Sequence, residues 1–215
     1  MSEATENRTT EREGRALHTA HGEAQRQALA RAAYQVIAES GFEGLRTRDV
    51  AERVGVNIAT LHYYFATKED LIRGVVDLLI TEFSTFRAPG QPPLEELSPR
   101  EGLRSELEDV REQIRTRPDM FIALIELYMR SLRDPQIRVM LRELDAGWRE
   151  HLESLLAAGV ATGDFPSNLD IRTTSAVLIA FSKGMAMQLL SDPESVPIES
   201  VYDEIARLTT AHDSD

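Results

Sequence analysis

Apolar residues recur along this chain with the period of a helix. Between Glu23 and Ser40, Leu29, Ala32, Ala33, Val36 and Ile37 stand at i, i+3, i+4, i+7 and i+8, the stripe of an amphipathic helix, and Gly41 follows as its C-cap. Thr47 to Val54 places Val50, Ala51 and Val54 on one helical face. Gly55 then suits the left-handed backbone of a tight turn. The next segment, Ile58 to Tyr64, is two turns long. Leu61 and Phe65 form its buried side at i, i+4, which leaves Ala59, Thr60, His62 and Tyr63 facing outwards. Thr67 as N-cap, with Asp70 three positions on, opens a further helix through Leu71, Val75, Leu78, Leu79 and Phe83. Run to Phe86, that helix is about 28 Å long at about 1.5 Å per residue.

Residues 88–99 hold four of the nine prolines and form a loop. Beyond it, helices are expected at about 100–116, 118–132, 136–161, 169–190 and 196–211, bounded by Pro118, Pro135, Gly163, Pro166, Pro193 and Pro197. Strand-like alternation is absent throughout. The expected fold is all-α with about nine helices: a three-helix N-terminal domain with its connecting helix over 23–86, and a larger helical domain over 87–215. Residues 1–22 are polar and lack apolar periodicity, so they are expected to form a disordered tail, in which His18 and His21 are solvated rather than a metal pair.

Composition narrows the class. No apolar run approaches 18 residues and the N-terminus lacks a signal-peptide core, so neither membrane spanning nor secretion is indicated and a cytoplasmic location is expected. Without cysteine there is no disulfide, thiolate nucleophile or cysteine zinc site. A net charge of −12 argues at first against nucleic acid, but it is unevenly spread. Residues 1–22 carry three Arg against four Glu, residues 23–73 seven basic against seven acidic groups, and residues 74–215 fourteen against twenty-five. The acid excess thus lies outside the helix-turn-helix segment.

A short helix with small and polar groups exposed, docked on another at a steep angle, suits the DNA major groove. The string Thr47-Arg48-Asp49-Val50-Ala51-Glu52-Arg53-Val54-Gly55-Val56, followed by LHYYFATKEDL, resembles the DNA-binding signature of the tetracycline-repressor (TetR) family of bacterial transcription regulators, over roughly residues 23–86. His62 stands where that family usually has Tyr, with Tyr63 beside it. As side-chain chemistry, Arg48 is the candidate for a bidentate guanine contact, Thr60 for a base or phosphate, and Ala59 and Ile58 for a thymine methyl. His62, Tyr63 and Lys68 are candidates for phosphate, and Thr47 and Asn57 complete the expected DNA-binding set.

The resemblance implies an effector pocket in the body, for which Met120, Phe121, Leu124, Tyr128, Trp148, His151, Phe181 and Met185 offer bulky apolar groups with a few polar tips. It also implies a homodimer through the last two helices, where Ala176, Val177, Ala180, Gly184 and Met187, then Val201, Ile205 and Leu208, combine small and apolar residues. No Gly-rich phosphate loop, GxSxG elbow or HExxH occurs, so no enzyme, cofactor or metal is expected. The expected function is a ligand-responsive repressor on a pseudo-palindromic operator. The alternative is a helical binding or adaptor protein that has lost DNA affinity.

Overall fold

A computed structural model describes residues 3–192 together with Glu194, Pro197, Ser200, Val201 and Glu204, and for residues 3–20 the backbone alone. The described residues form eight α-helices and no strand: α1 Glu3–Ser40, α2 Thr47–Val54, α3 Ile58–Tyr64, α4 Lys68–Thr85, α5 Pro99–Thr116, α6 Pro118–Ser131, α7 Pro135–Thr162 and α8 Ile171–Ser191. The ninth helix expected over 196–211 lies mostly outside the described residues, as do Ile205 and Leu208. α1 runs back to Glu3, through the stretch read as a disordered tail. Glu, Arg and Ala, good helix formers, stand between the threonines of that stretch, so the missing apolar stripe removes a packing face without breaking the helix.

Helix ends follow local chemistry. Gly55 closes α2 in the left-handed region at φ 75°, and Gly163 closes α7 at φ 84°. Thr67 and Asp70 form a reciprocal cap at the start of α4: the Asp70 amide donates to Thr67 Oγ1 at 3.0 Å, and the Thr67 amide donates to Asp70 Oδ2 at 3.0 Å. Ser98 and Glu101 do the same for α5, and Asp134 and Asp170 cap α7 and α8. Proline occupies the first turn of α5, α6 and α7, where its missing N–H has no helical partner to lose.

The chain divides into two compact units, residues 1–81 and 82–215, with the division inside α4 rather than at the proline-rich loop. In the first, Leu29, Ala33, Ile37, Val50, Leu61, Leu71, Val75 and Leu79 are fully buried. In the second, Leu103, Leu152, Leu156, Phe165, Leu178 and Ile179 make one core cluster, and Ile114, Phe121 and Ala186 a smaller one beside Phe83. Polar bonds pin the start of this unit. Glu82 is paired with Arg117, and its carbonyl accepts from Gln113 Nε2 at 3.3 Å. Asp109 accepts from Arg87 Nη1 and from the Ala88 amide, both at 2.6 Å. Burial nevertheless pushes the Asp109 carboxyl above its ordinary range.

Candidate nucleic-acid interface and body

The recognition surface is built by anchoring one side of α3 and leaving the other bare. Leu61 and Phe65 are 0% and 1% exposed, whereas Ile58, Ala59 and His62 face solvent and Tyr63 is 81% exposed. Tyr64 is half-buried and meets Tyr63 edge to face at 5.1 Å. Asn57 caps α3: its Oδ1 accepts from the Thr60 amide at 2.8 Å and from the Thr60 hydroxyl at 3.1 Å. Thr47 begins α2, half-buried, and Arg48 follows it, exposed. Lys68 begins α4 with its Nζ 5.1 Å from the Phe42 ring centroid. Geometrically this is a short helix whose small, polar and aromatic groups are free to meet the edges of a duplex groove, with cations at its flanks.

The eight body residues do not share one environment. Met120, Phe121 and Met185 are buried, Leu124, Tyr128, Trp148 and Phe181 half-buried, and His151 exposed. Phe121 belongs to the smaller cluster, its ring 5.3 Å from that of Phe83, while Trp148 packs against the larger one. Glu106 joins two of the eight, accepting from Trp148 Nε1 at 2.8 Å and bonding His151 Nε2 at 2.9 Å. That bond raises the His151 pKa. Tyr128 donates to Asp145 Oδ1, which Lys183 also reaches at 2.7 Å, and burial together with the Asp145 carboxylate raises the phenol pKa. A shallow groove of about 360 Å³ runs along α7 beside Arg142, Asp145, Ala146, Arg149, Glu150 and Glu153, and none of the eight lines it. Among the described residues no cluster of three or more His, Asp or Glu could hold a metal ion. Likewise, no described helix is long and apolar enough to cross a membrane.

A helix-turn-helix head with a bare recognition helix, carried on a separate helical body, defines a DNA-binding transcription regulator. The family model for bacterial regulatory proteins of the tetR family matches residues 29–75, and that for the BetI-type transcriptional repressor C-terminal region matches residues 99–212. The second match alone spans more than half of the chain, and the chain belongs to the TetR family. Curated relatives match through the head. The class C tetracycline repressor of Escherichia coli is 35% identical over 65 residues, 30% of each chain. The regulator RutR of Escherichia coli K12 is 33% identical over 73 residues, 32% of this chain and 34% of its own. The chain thus spans about a third of the length of the curated relatives it matches. A TetR-family regulator from Rhodococcus sp. shares the fold over 87% of this chain and 98% of its own, with a TM-score of 0.75 at 23% identity.

Proposed function

We propose that the protein is a homodimeric, effector-responsive repressor that binds a pseudo-palindromic operator. The observation that carries this reading is the asymmetry of α3, locked underneath by Leu61 and Phe65 while Ile58, Ala59, His62 and Tyr63 stand in solvent. A groove-reading helix needs such a rigid base and free face. Arg48 reads a base edge, and His62, Tyr63 and Lys68 hold phosphate. The dimer forms through α8, whose Ala176, Val177, Ala180, Gly184 and Met187 lie exposed along one side of the helix. Small residues there let a second copy approach closely.

The effector is an apolar molecule with a few polar groups, bound among the helices that bear Phe121, Leu124, Tyr128 and Trp148. It selects a body conformation in which the two heads of the dimer no longer meet successive grooves. A coupling of about 1 to 3 kcal/mol lowers operator affinity about 5- to 150-fold, and by linkage operator weakens effector binding by the same factor.

Selection of bound duplexes from a random library by the purified protein tests the reading. The expected outcome is an inverted repeat with half-site centres about 34 Å apart or a little more. Gly184→Arg is expected to give monomers by light scattering and to lose that enrichment. Enrichment of a single unsymmetrical site, or a Gly184→Arg protein that stays dimeric and selects the same repeat, would remove the dimeric operator from the account.

A further inference from the structure

The head balances seven basic against seven acidic groups over residues 23–73, so its overall charge does not say where it grips a polyanion. Its ion pairs do. Arg53 is held at two points by Glu39, Nη1 to Oε1 at 2.8 Å and Nη2 to Oε2 at 2.6 Å. The pairing lowers the Glu39 pKa and raises that of Arg53. Arg26 lies 3.5 Å from Asp77 and 3.9 Å from Glu23, with its guanidinium over the Phe65 ring. Arg31 and Arg73 are also engaged. Among the described residues Arg46 and Arg48 are the head cations without such a contact, and Lys68 meets the Phe42 ring rather than a carboxylate.

Arg46 is absent from the contacts that the motif suggests, yet like Arg48 it is exposed and without a partner. It is exposed and extended, at φ −119° and ψ 130°, immediately before α2, and its side chain is spent on no capping bond. Arg48 follows two residues later. Phe42, the ring beneath Lys68, opens the short 3-10 turn Phe42–Gly44 that leads into Leu45 and Arg46. The nearby acids do not quench it: Asp49 makes no ion pair with it, and Glu43, also exposed, has its own engagement. At the other end of α2, Arg53 is already neutralised by Glu39. To reach phosphate it would have to give up a two-point pair, whereas Arg46 gives up only water and side-chain freedom.

We propose that Arg46 is a further DNA phosphate contact of this regulator, and that Arg53, although it belongs to the same helix-turn-helix, is not one. The inference rests on the DNA-binding reading of the head. Each phosphate neutralised by a protein cation releases counterions and adds about 0.9 to the slope of log K against log salt on B-DNA. An arginine that only adds to the long-range field changes the affinity without adding a contact.

Arg46→Gln and Arg53→Gln remove the same charge, so they can be compared directly. The full-length proteins, checked for unchanged helix content by circular dichroism, are titrated by fluorescence anisotropy against one random-sequence duplex over a salt series. Arg46→Gln is expected to flatten the slope by about 0.9 per bound protomer, and Arg53→Gln to leave it as in wild type. On the selected operator, Arg46→Gln is expected to weaken all sequences alike and keep the base preferences. Equal slopes for the two variants, an unchanged slope for Arg46→Gln, or a base preference lost with it would overturn the assignment. A wild-type protein that fails to bind any duplex would instead overturn the DNA reading itself, and the contact with it.

Discussion

Gly74→Ala should destabilise the head, although helix propensity alone predicts the opposite. Gly74 sits buried in the interior of α4, where alanine ordinarily gains about 0.5 to 1 kcal/mol over glycine. Here a Cβ would fall on the Phe65 ring, in collision with Cε1 and 2.7 Å from Cζ. Phe65 cannot retreat freely, because it is 1% exposed and its amide closes α3 on the Leu61 carbonyl at 2.8 Å. Overpacking of a well-filled site costs about 1 to 3 kcal/mol. Set against the propensity gain, the net loss is at most about 2.5 kcal/mol, and centrally about 1 kcal/mol. The displaced ring also shifts the end of the recognition helix, so DNA affinity should fall even at temperatures where the head stays folded. Urea denaturation followed by circular dichroism measures the first effect, and anisotropy on a duplex the second. Gly147→Ala in α7, where a Cβ meets nothing within 4 Å, is the control and should stabilise by about 0.5 to 1 kcal/mol. Phe65→Leu should relieve the clash, so that the double variant loses less than the sum of the singles. A Gly74→Ala protein as stable as wild type with unchanged DNA affinity would refute the packing argument.

Three further outcomes are expected. Arg48→Ala should cost about 1 to 3 kcal/mol per half-site and relax base preference at one position, while Lys68→Ala weakens all sequences and flattens the salt slope; base-substituted operators at two salt concentrations separate them. The bond to Glu106 raises the His151 pKa above its ordinary 6.5, so its stabilisation is full below the unfolded value and is lost as pH rises through the folded one. The side chain is 58% exposed, so the amplitude stays below about 1 kcal/mol; Glu106→Gln should remove this part of the pH dependence of the denaturation midpoint. Gly159→Ala should destabilise the body, because its Cβ would strike the Phe165 ring, and thermal unfolding reads that loss directly.

Much of this architecture is written in local patterns. The stripe of Leu29, Ala33 and Ile37, the turn at Gly55, the Thr67 cap and the first-turn prolines each act within a few residues, and apart from the start of α1, which runs back to Glu3, their helices form within a residue or two of the expected bounds. What the periodicity could not give is which faces meet. The pairs Glu39 with Arg53, Glu106 with His151 and Arg87 with Asp109 join residues far apart in sequence, and no spacing rule announces them. The same gap scatters the body residues: periodicity turns Phe121 and Trp148 inward but does not say that they enter different clusters. The head is the more legible because the anchored side of one short helix, Leu61 and Phe65, follows from its own spacing, whereas a pocket is assembled from several helices.

The cap of the recognition helix also fixes which chemical signal Thr60 can send. The oxygen of Asn57 already takes the Thr60 amide proton, so an amide-oxygen identity is forced on that atom and the neighbouring hydroxyl has to spend its own proton there too. What remains outward is a pair of lone pairs and a methyl group. In that state Thr60 has nothing to give a phosphate, which carries no proton of its own, but it can accept from the exocyclic amine of adenine or cytosine and lie against a thymine methyl. A side chain drawn as both donor and acceptor thus speaks with one polarity, set by its neighbour three residues back.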